Sequence, residues 1–139
     1  MSRTTSSTML ALLLVCATAQ ASEWVSFGRA RGEVLEGFID NSSIRVMGNV
    51  RRAWIKLIYA PHTVRGFEDN AKKWQSYSVS RVAYNCIEES SRTEALNIYF
   101  DDGTTLIVPS ARLQPSWESA PPDTVVSAEM QFICAWKPK

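Results

Sequence analysis

Val50-Arg51-Arg52-Ala53-Trp54-Ile55-Lys56-Leu57-Ile58-Tyr59 is the stretch that sets the fold. It is rich in β-branched and aromatic residues and holds neither glycine nor proline, so it reads as a strand. Successive side chains of a strand point to opposite faces. Ala53, Ile55, Leu57 and Tyr59 therefore share one face, and Arg52, Trp54, Lys56 and Ile58 the other. Both faces are partly apolar, as expected of a central strand with one wetter side. Gly48-Asn49 before it is a tight-turn signal, because both residues tolerate positive φ. Ala60-Pro61 ends it.

Working toward the N-terminus, Ile44 to Met47 is a short strand and Asp40-Asn41-Ser42-Ser43 a turn, since these side chains bond their own backbone. Glu33 to Ile39 reads as another strand, Gly28 to Gly32 with Arg29 and Arg31 as a flexible link, and Trp24 to Phe27 as the first strand. Toward the C-terminus, His62 to Lys73 is polar and reads as an exposed loop, the kind of segment that often carries function. Trp74 to Cys86 is the next strand, with serines alternating along it. Ile87 to Ser91 turns the chain. Arg92 to Phe100 and Thr104 to Pro109 form a hairpin about Asp101-Asp102-Gly103.

Pro115 to Pro122, with Trp117, reads as irregular. A helix follows, capped by Asp123 or Thr124. Val126, Met130, Ile133 and Cys134 make one apolar stripe along it. The expected fold is α+β: an antiparallel sheet of about six strands with one C-terminal helix packed on it.

Residues 1–21 read as a signal peptide. Arg3 is the positive region, Met9 to Ala17 the apolar run, and Ala19-Gln20-Ala21 the small-x-small cleavage pattern. The apolar run is shorter than the roughly 20 residues of a membrane span. Cys16 raises the alternative of a lipoprotein leader, but Val15 stands where a small residue is wanted, so ordinary cleavage is the reading adopted. Residues 22–139 then form one domain. The chain has 15 Lys and Arg against 14 Asp and Glu, and Arg3 leaves with the leader, so the mature charges balance. No basic excess points to nucleic acid. Two cysteines remain, Cys86 and Cys134, and in an exported protein they allow a single disulfide. That bridge would clamp the helix onto the sheet and stabilise by about 4 kcal/mol in the chain-entropy account.

Few residues suggest catalysis. His62 is the only histidine, and it sits in a polar loop beside Pro61. A zinc site or a nucleophilic triad needs more converging partners than this. Glu88-Glu89 and Asp101-Asp102 are adjacent acids at turns, where neighbouring side chains diverge and solvated carboxylates are ordinary. Gly28-Arg29-Ala30-Arg31-Gly32 falls short of a dinucleotide fingerprint. No metal or cofactor is expected. Arg45, Arg51, Arg52 and Lys56 could share one hairpin face and meet an acidic polysaccharide or lipid headgroups; a solvated strand edge is the competing reading. Of the five tryptophans, Trp74 beside Lys72-Lys73 and Trp136 near the C-terminus are read as exposed and the rest as core.

The order of several features resembles the surface-adhesin protein E family of Gram-negative bacteria. They are Trp24 after the leader, Asp40 to Ile44 after a strand, Trp54, Tyr77-Ser78 ahead of Cys86, Tyr99 ahead of Asp101-Asp102-Gly103, and Trp117 before a Pro-led helix ending in Cys134. The resemblance implies a bent antiparallel sheet with a C-terminal helix tied by a disulfide. It also implies binding of host matrix or serum proteins and a capacity to dimerise, as for the surface lipoprotein that gives the family its name. No binding residue carries over by motif. The expected function is a non-enzymatic binding module of the envelope, in the periplasm or at the cell surface, with Arg45, Arg51, Arg52, Lys56 and Trp74 as its binding surface. The alternative is a periplasmic protein of structural or housekeeping role with no host ligand.

Overall fold

The structure is a computed structural model and describes residues 21–28, 32–113 and 116–138. The leader up to residue 20, with Cys16, and the link at Arg29 and Arg31 lie outside the described residues. The chain forms β1 (Trp24–Gly28), β2 (Val34–Asp40), β3 (Arg45–Met47), β4 (Val50–Tyr59), β5 (Gln75–Asn85), β6 (Ser90–Phe100), β7 (Thr105–Val108), β8 (Glu118–Ser119) and helix α1 (Val125–Ala135). All pair antiparallel in one sheet, in the order β1-β2-β4-β5-β6-β7, with β3 beside β4 and β8 beside β6. The six-strand path is the sheet expected from the sequence. The segment read as irregular differs, because Glu118 and Ser119 pair with Ser91 and Ser90. A two-residue strand has no periodicity by which it could be recognised.

The turns hold for local reasons. Asp40 is buried, and its Oδ1 accepts from Ser42 N at 3.1 Å, Ser42 Oγ at 2.6 Å and Glu23 N at 2.9 Å. One carboxylate thus fixes both the turn after β2 and the start of the chain beside it. The Asn41-Ser42-Ser43 stretch is that turn. Gly48 takes φ of 59° in the β3–β4 hairpin. Gly37 is required for a different reason: an added Cβ would lie 2.0 Å from the Phe27 ring, which packs directly over the backbone.

The register assigns the two faces of β4 as the alternation predicts. Ala53 and Ile55 are buried under the helix together with Ile39, Ile44, Val82, Tyr84, Met130 and Ile133, and Leu57 packs against them. Further along the same face, Ile98, Phe100 and Val108 form a second cluster with Leu96 and Leu106. Helix α1 begins with a capping box. Ser127 N donates to Thr124 Oγ1 at 3.2 Å, and Thr124 N donates to Ser127 Oγ at 3.2 Å.

The far end of α1 is fastened three ways. Cys86 and Cys134 are joined, with Cα atoms 5.8 Å apart. Arg51 Nη1 donates to the carbonyls of Ile133 at 2.7 Å and Trp136 at 2.5 Å, which meets helix-end acceptors with a cation. Trp136 Nε1 donates to Asn41 Oδ1 at 2.6 Å. Trp74 and Trp136, both expected to be exposed, are half-buried, Trp136 against the core; Trp24, expected in the core, is the exposed tryptophan among the described residues, at 37%.

One helix residue breaks the apolar pattern. Glu129 is buried between Met130, Ile133 and the sheet, and its carboxylate accepts from Tyr84 Oη at 2.7 Å. Burial pushes the Glu129 pKa up from 4.5 to about 7, and the Tyr84 hydrogen bond offsets only part of this. The Tyr84 hydroxyl is itself raised well above 10, first by burial and then by the Glu129 charge.

Two outcomes follow for stability. Replacing both Cys86 and Cys134 with alanine, which opens a loop spanning 48 residues, should lower unfolding free energy by about 4 kcal/mol in urea titrations. Glu129 binds its proton more tightly folded than unfolded, so its contribution is complete below pH 4.5 and lost as pH rises to about 7. The loss is about 3 kcal/mol at one pKa unit per 1.36 kcal/mol, and Glu129→Gln should flatten that slope in melts taken across the range.

Candidate functional site: an arginine groove opposite the helix

The face of the sheet turned away from α1 carries the even-numbered residues of β4. Paired positions share a face, so the register brings other strands' side chains to them. Arg45 lies opposite Arg52, Arg81 opposite Trp54, and Arg92 opposite Ala83, which itself faces Arg52. These residues line a groove of about 710 Å³. Ser110 and Leu113, from the segment that follows β7, complete the lining.

A bulge supplies the centre of the groove. Arg81 pairs with Ala95 but Val82 pairs with Thr93, which leaves Glu94 as the extra residue on β6. A bulge re-aims the side chain it inserts. Here it turns Glu94 toward three guanidiniums. Glu94 Oε1 accepts from Arg52 Nε at 3.0 Å and from Arg92 Nη2 at 3.0 Å, and its Oε2 lies 3.4 Å from Arg81 Nε. Burial works against the charge on Glu94, but the hydrogen bonds from Arg92 and Arg52 and the nearby Arg81 charge outweigh it and hold the pKa below the usual carboxylate range. Arg45 Nη1 reaches the carbonyls of Ser42 and Ile44 at 3.0 and 2.9 Å. The Arg81 guanidinium stands over the Trp54 ring at 5.8 Å, and that of Arg92 over the Trp117 ring at 4.9 Å. Three cations therefore meet one carboxylate, and Arg45 lines the same groove.

The proposed binding residues separate. Arg45 and Arg52 meet in the groove. Lys56 lies on the same face two alternations further along β4, with its Nζ 4.8 Å from the Tyr77 ring centre, and Tyr77 stacks on Tyr99 at 4.2 Å. Arg51 points the other way, onto the end of α1. Adjacent strand positions cannot share a face, so the hairpin patch read from sequence divides in two. Trp74 lies nine residues from Ala83, about 30 Å at 3.3 Å per residue, at the far end of β5. There Arg65 covers its ring at 3.4 Å and His62 is 5.5 Å away.

His62 is 68% exposed and 3.6 Å from Asp101, outside the groove lining. The loop from His62 to Lys73 carries a short 3₁₀ turn at Glu68–Asn70, and Arg65 bridges to Trp74. Among the described residues no group of three His, Cys, Asp or Glu could hold a metal ion, and no helix is long and apolar enough to cross a membrane. Sequence reading missed Arg81, Arg92 and Glu94. The available signal was the Ile87–Ser91 turn, from which counting back along both strands sets Arg92 opposite Ala83. Arg81 depends on the β4–β5 register, which the long loop after β4 leaves without a local signal. The bulge at Glu94 has no such signal.

The sequence profile of the family described as Surface-adhesin protein E matches residues 24–135. The chain belongs to that family. Solved structures of Haemophilus influenzae protein E share its fold. The crystal form II structure is 16% identical, covers 84% of this chain and 97% of its own, and superposes with a TM-score of 0.52. The structure from non-typeable Haemophilus influenzae is 17% identical over 85% of this chain and 79% of its own, also at 0.52. No curated protein matches the chain. The antiparallel sheet with its C-terminal helix is thus a fold shared at low sequence identity, and this chain ties the helix down with the Cys86–Cys134 disulfide.

The division of the two adjacent arginines can be read in stability. Arg51→Ala should cost about 2 kcal/mol, since it removes two charge-assisted bonds from half-buried helix-end carbonyls. Arg52→Ala should cost less than about 1 kcal/mol, because its side chain is 33% exposed and Arg81 and Arg92 still neutralise Glu94. Urea midpoints of the two variants measure the difference.

Proposed function

We propose that this adhesin E-type domain is an exported, non-enzymatic binding module of the cell envelope. It would be freed from its leader after Ala21 and dock a partner on the arginine groove. The observation that carries this is the convergence of Arg45, Arg52, Arg81 and Arg92 on one groove of a chain whose mature charges otherwise balance. Segregated charge of this kind steers and orients an acidic partner. Concave sites with a few converging polar groups are where ligands bind. Family membership supports a surface role, and a host matrix or serum protein with an acidic patch is the partner it suggests.

The alternative, a periplasmic module with a structural or housekeeping role, is favoured by Val15 before Cys16, which disfavours a lipid anchor. Fractionation, with protease and antibody added to intact cells, separates the two. The adhesion reading expects degradation and staining of the native protein on intact cells. It also expects at least ~10-fold weaker capture of matrix proteins by Arg52→Ala/Arg92→Ala, since charge-assisted contacts carry 1.5–3 kcal/mol each. Protection of the protein, with recovery in the periplasmic fraction, would overturn adhesion and leave the envelope partner as the ligand to find.

A further inference from the structure

We propose that the arginine groove and the Lys56–Tyr77–Tyr99 cluster together form a site for an acidic sugar chain, a polysaccharide bearing repeated sulfate or carboxylate groups. The inference rests on the binding-module reading and names its ligand class.

The argument begins with unfilled hydrogen-bonding capacity. Each guanidinium has five N–H donors in a planar fork suited to carboxylate and sulfate. Glu94 brings two oxygens to three of them, and each of Arg52, Arg81 and Arg92 meets it through one nitrogen. Arg52 Nη1 also donates to Met47 Sδ at 3.3 Å. Among the described residues the other donors of these three arginines have no further protein acceptor, and all three residues line a groove of about 710 Å³, the size of a small-ligand site. Glu94 is the protein's own carboxylate held where the arginine forks converge, so an incoming oxyanion meets donors already arranged for its shape. Arginine in place of lysine at all four positions favours planar, two-pronged recognition over a diffuse positive surface.

A second feature points to a chain over a lone anion. Arg52, Trp54 and Lys56 follow one another on one face of β4, and Arg52 and Lys56 are four residues apart, about 13 Å. The Lys56 ammonium is held over Tyr77, and Tyr77 is stacked on Tyr99, so this cation is positioned too. Between the two cations lies the Trp54 ring with Arg81 over it. Cation, aromatic, cation along one strand suits an extended polymer of apolar sugar faces and regular charges. A flat lipid surface fits less well, because the arginine heads sit within a concavity walled by Trp54 and Leu113.

Titration calorimetry and tryptophan fluorescence of the mature protein test this with a heparin hexasaccharide, a hyaluronan hexasaccharide, inorganic sulfate and phosphatidylglycerol vesicles. A hexasaccharide should bind at least ~10-fold more tightly than sulfate and weaken steeply as salt shortens the screening length. Arg52→Ala and Arg92→Ala should each weaken it ~10-fold, the loss of one charge-assisted contact. Lys56→Ala should weaken the hexasaccharide several-fold and leave sulfate unchanged. Glu94→Gln should tighten both, since it frees the forks from an internal competitor; a thermal melt confirms that the variant is folded. Arg51→Ala, on the other face, should leave binding unchanged.

Binding to vesicles with neither hexasaccharide would overturn the proposal, as would hexasaccharide binding indifferent to Arg52 and Arg92, or weaker binding by folded Glu94→Gln. Should both hexasaccharides fail while Arg52→Ala/Arg92→Ala still loses capture of matrix proteins, the ligand class is wrong and the docking face stands.

Discussion

A strand hydrogen-bonded on both edges has no side chain without an assignment: each residue goes to one face or the other. β4 lies between β2 and β5 and is in that position over most of its length. Its odd-numbered residues build the core under α1, and its even-numbered residues build the groove. The two halves of the molecule's business are therefore separated by one pleat, and a slip of one residue would exchange them. Arg51 and Arg52 are neighbours in sequence, yet one braces the helix and the other binds Glu94.

The helix has little apolar surface with which to hold itself down. Within α1, Glu129, Met130 and Ile133 are buried, and one of those three is a carboxyl group. The attachments at its C-terminal end compensate: a covalent bond, an arginine on the terminal carbonyls and an indole hydrogen bond. Because these all act on the face opposite the groove, the groove face carries none of the fastening. The buried Tyr84–Glu129 bond sits beneath the middle of the helix, where a neutral carboxyl is easily accommodated and a charged one is not.

Most of the architecture was legible because it depends on local rules. Alternation along Val50–Tyr59, the Gly48-Asn49 and Asp101-Asp102-Gly103 turns and the Thr124 cap each announce themselves within a few residues. The disulfide followed from counting. The groove was only half visible, since Arg81, Arg92 and Glu94 come from strands whose register is set by long-range pairing and interrupted by a bulge. A single extra residue is silent in the pattern of hydrophobicity, but it decides which way a carboxylate points. β8 and the burial of Trp136 were hidden for the same reason, since both depend on residues far away in sequence.

The Cys86–Cys134 bond also divides the molecule by its response to cutting. Between those residues lie β6, β7, β8 and the exposed Asp101–Gly103 turn. A protease that nicks the chain at that turn yields two pieces still joined through sulfur, with β5, β6 and the helix on a common covalent frame. A nick in the His62–Lys73 loop leaves no such bridge, and the N-terminal strands, with Arg45 and Arg52, are then held by pairing alone. Against proteolysis this domain would be tolerant of damage on one side of β5 and vulnerable on the other.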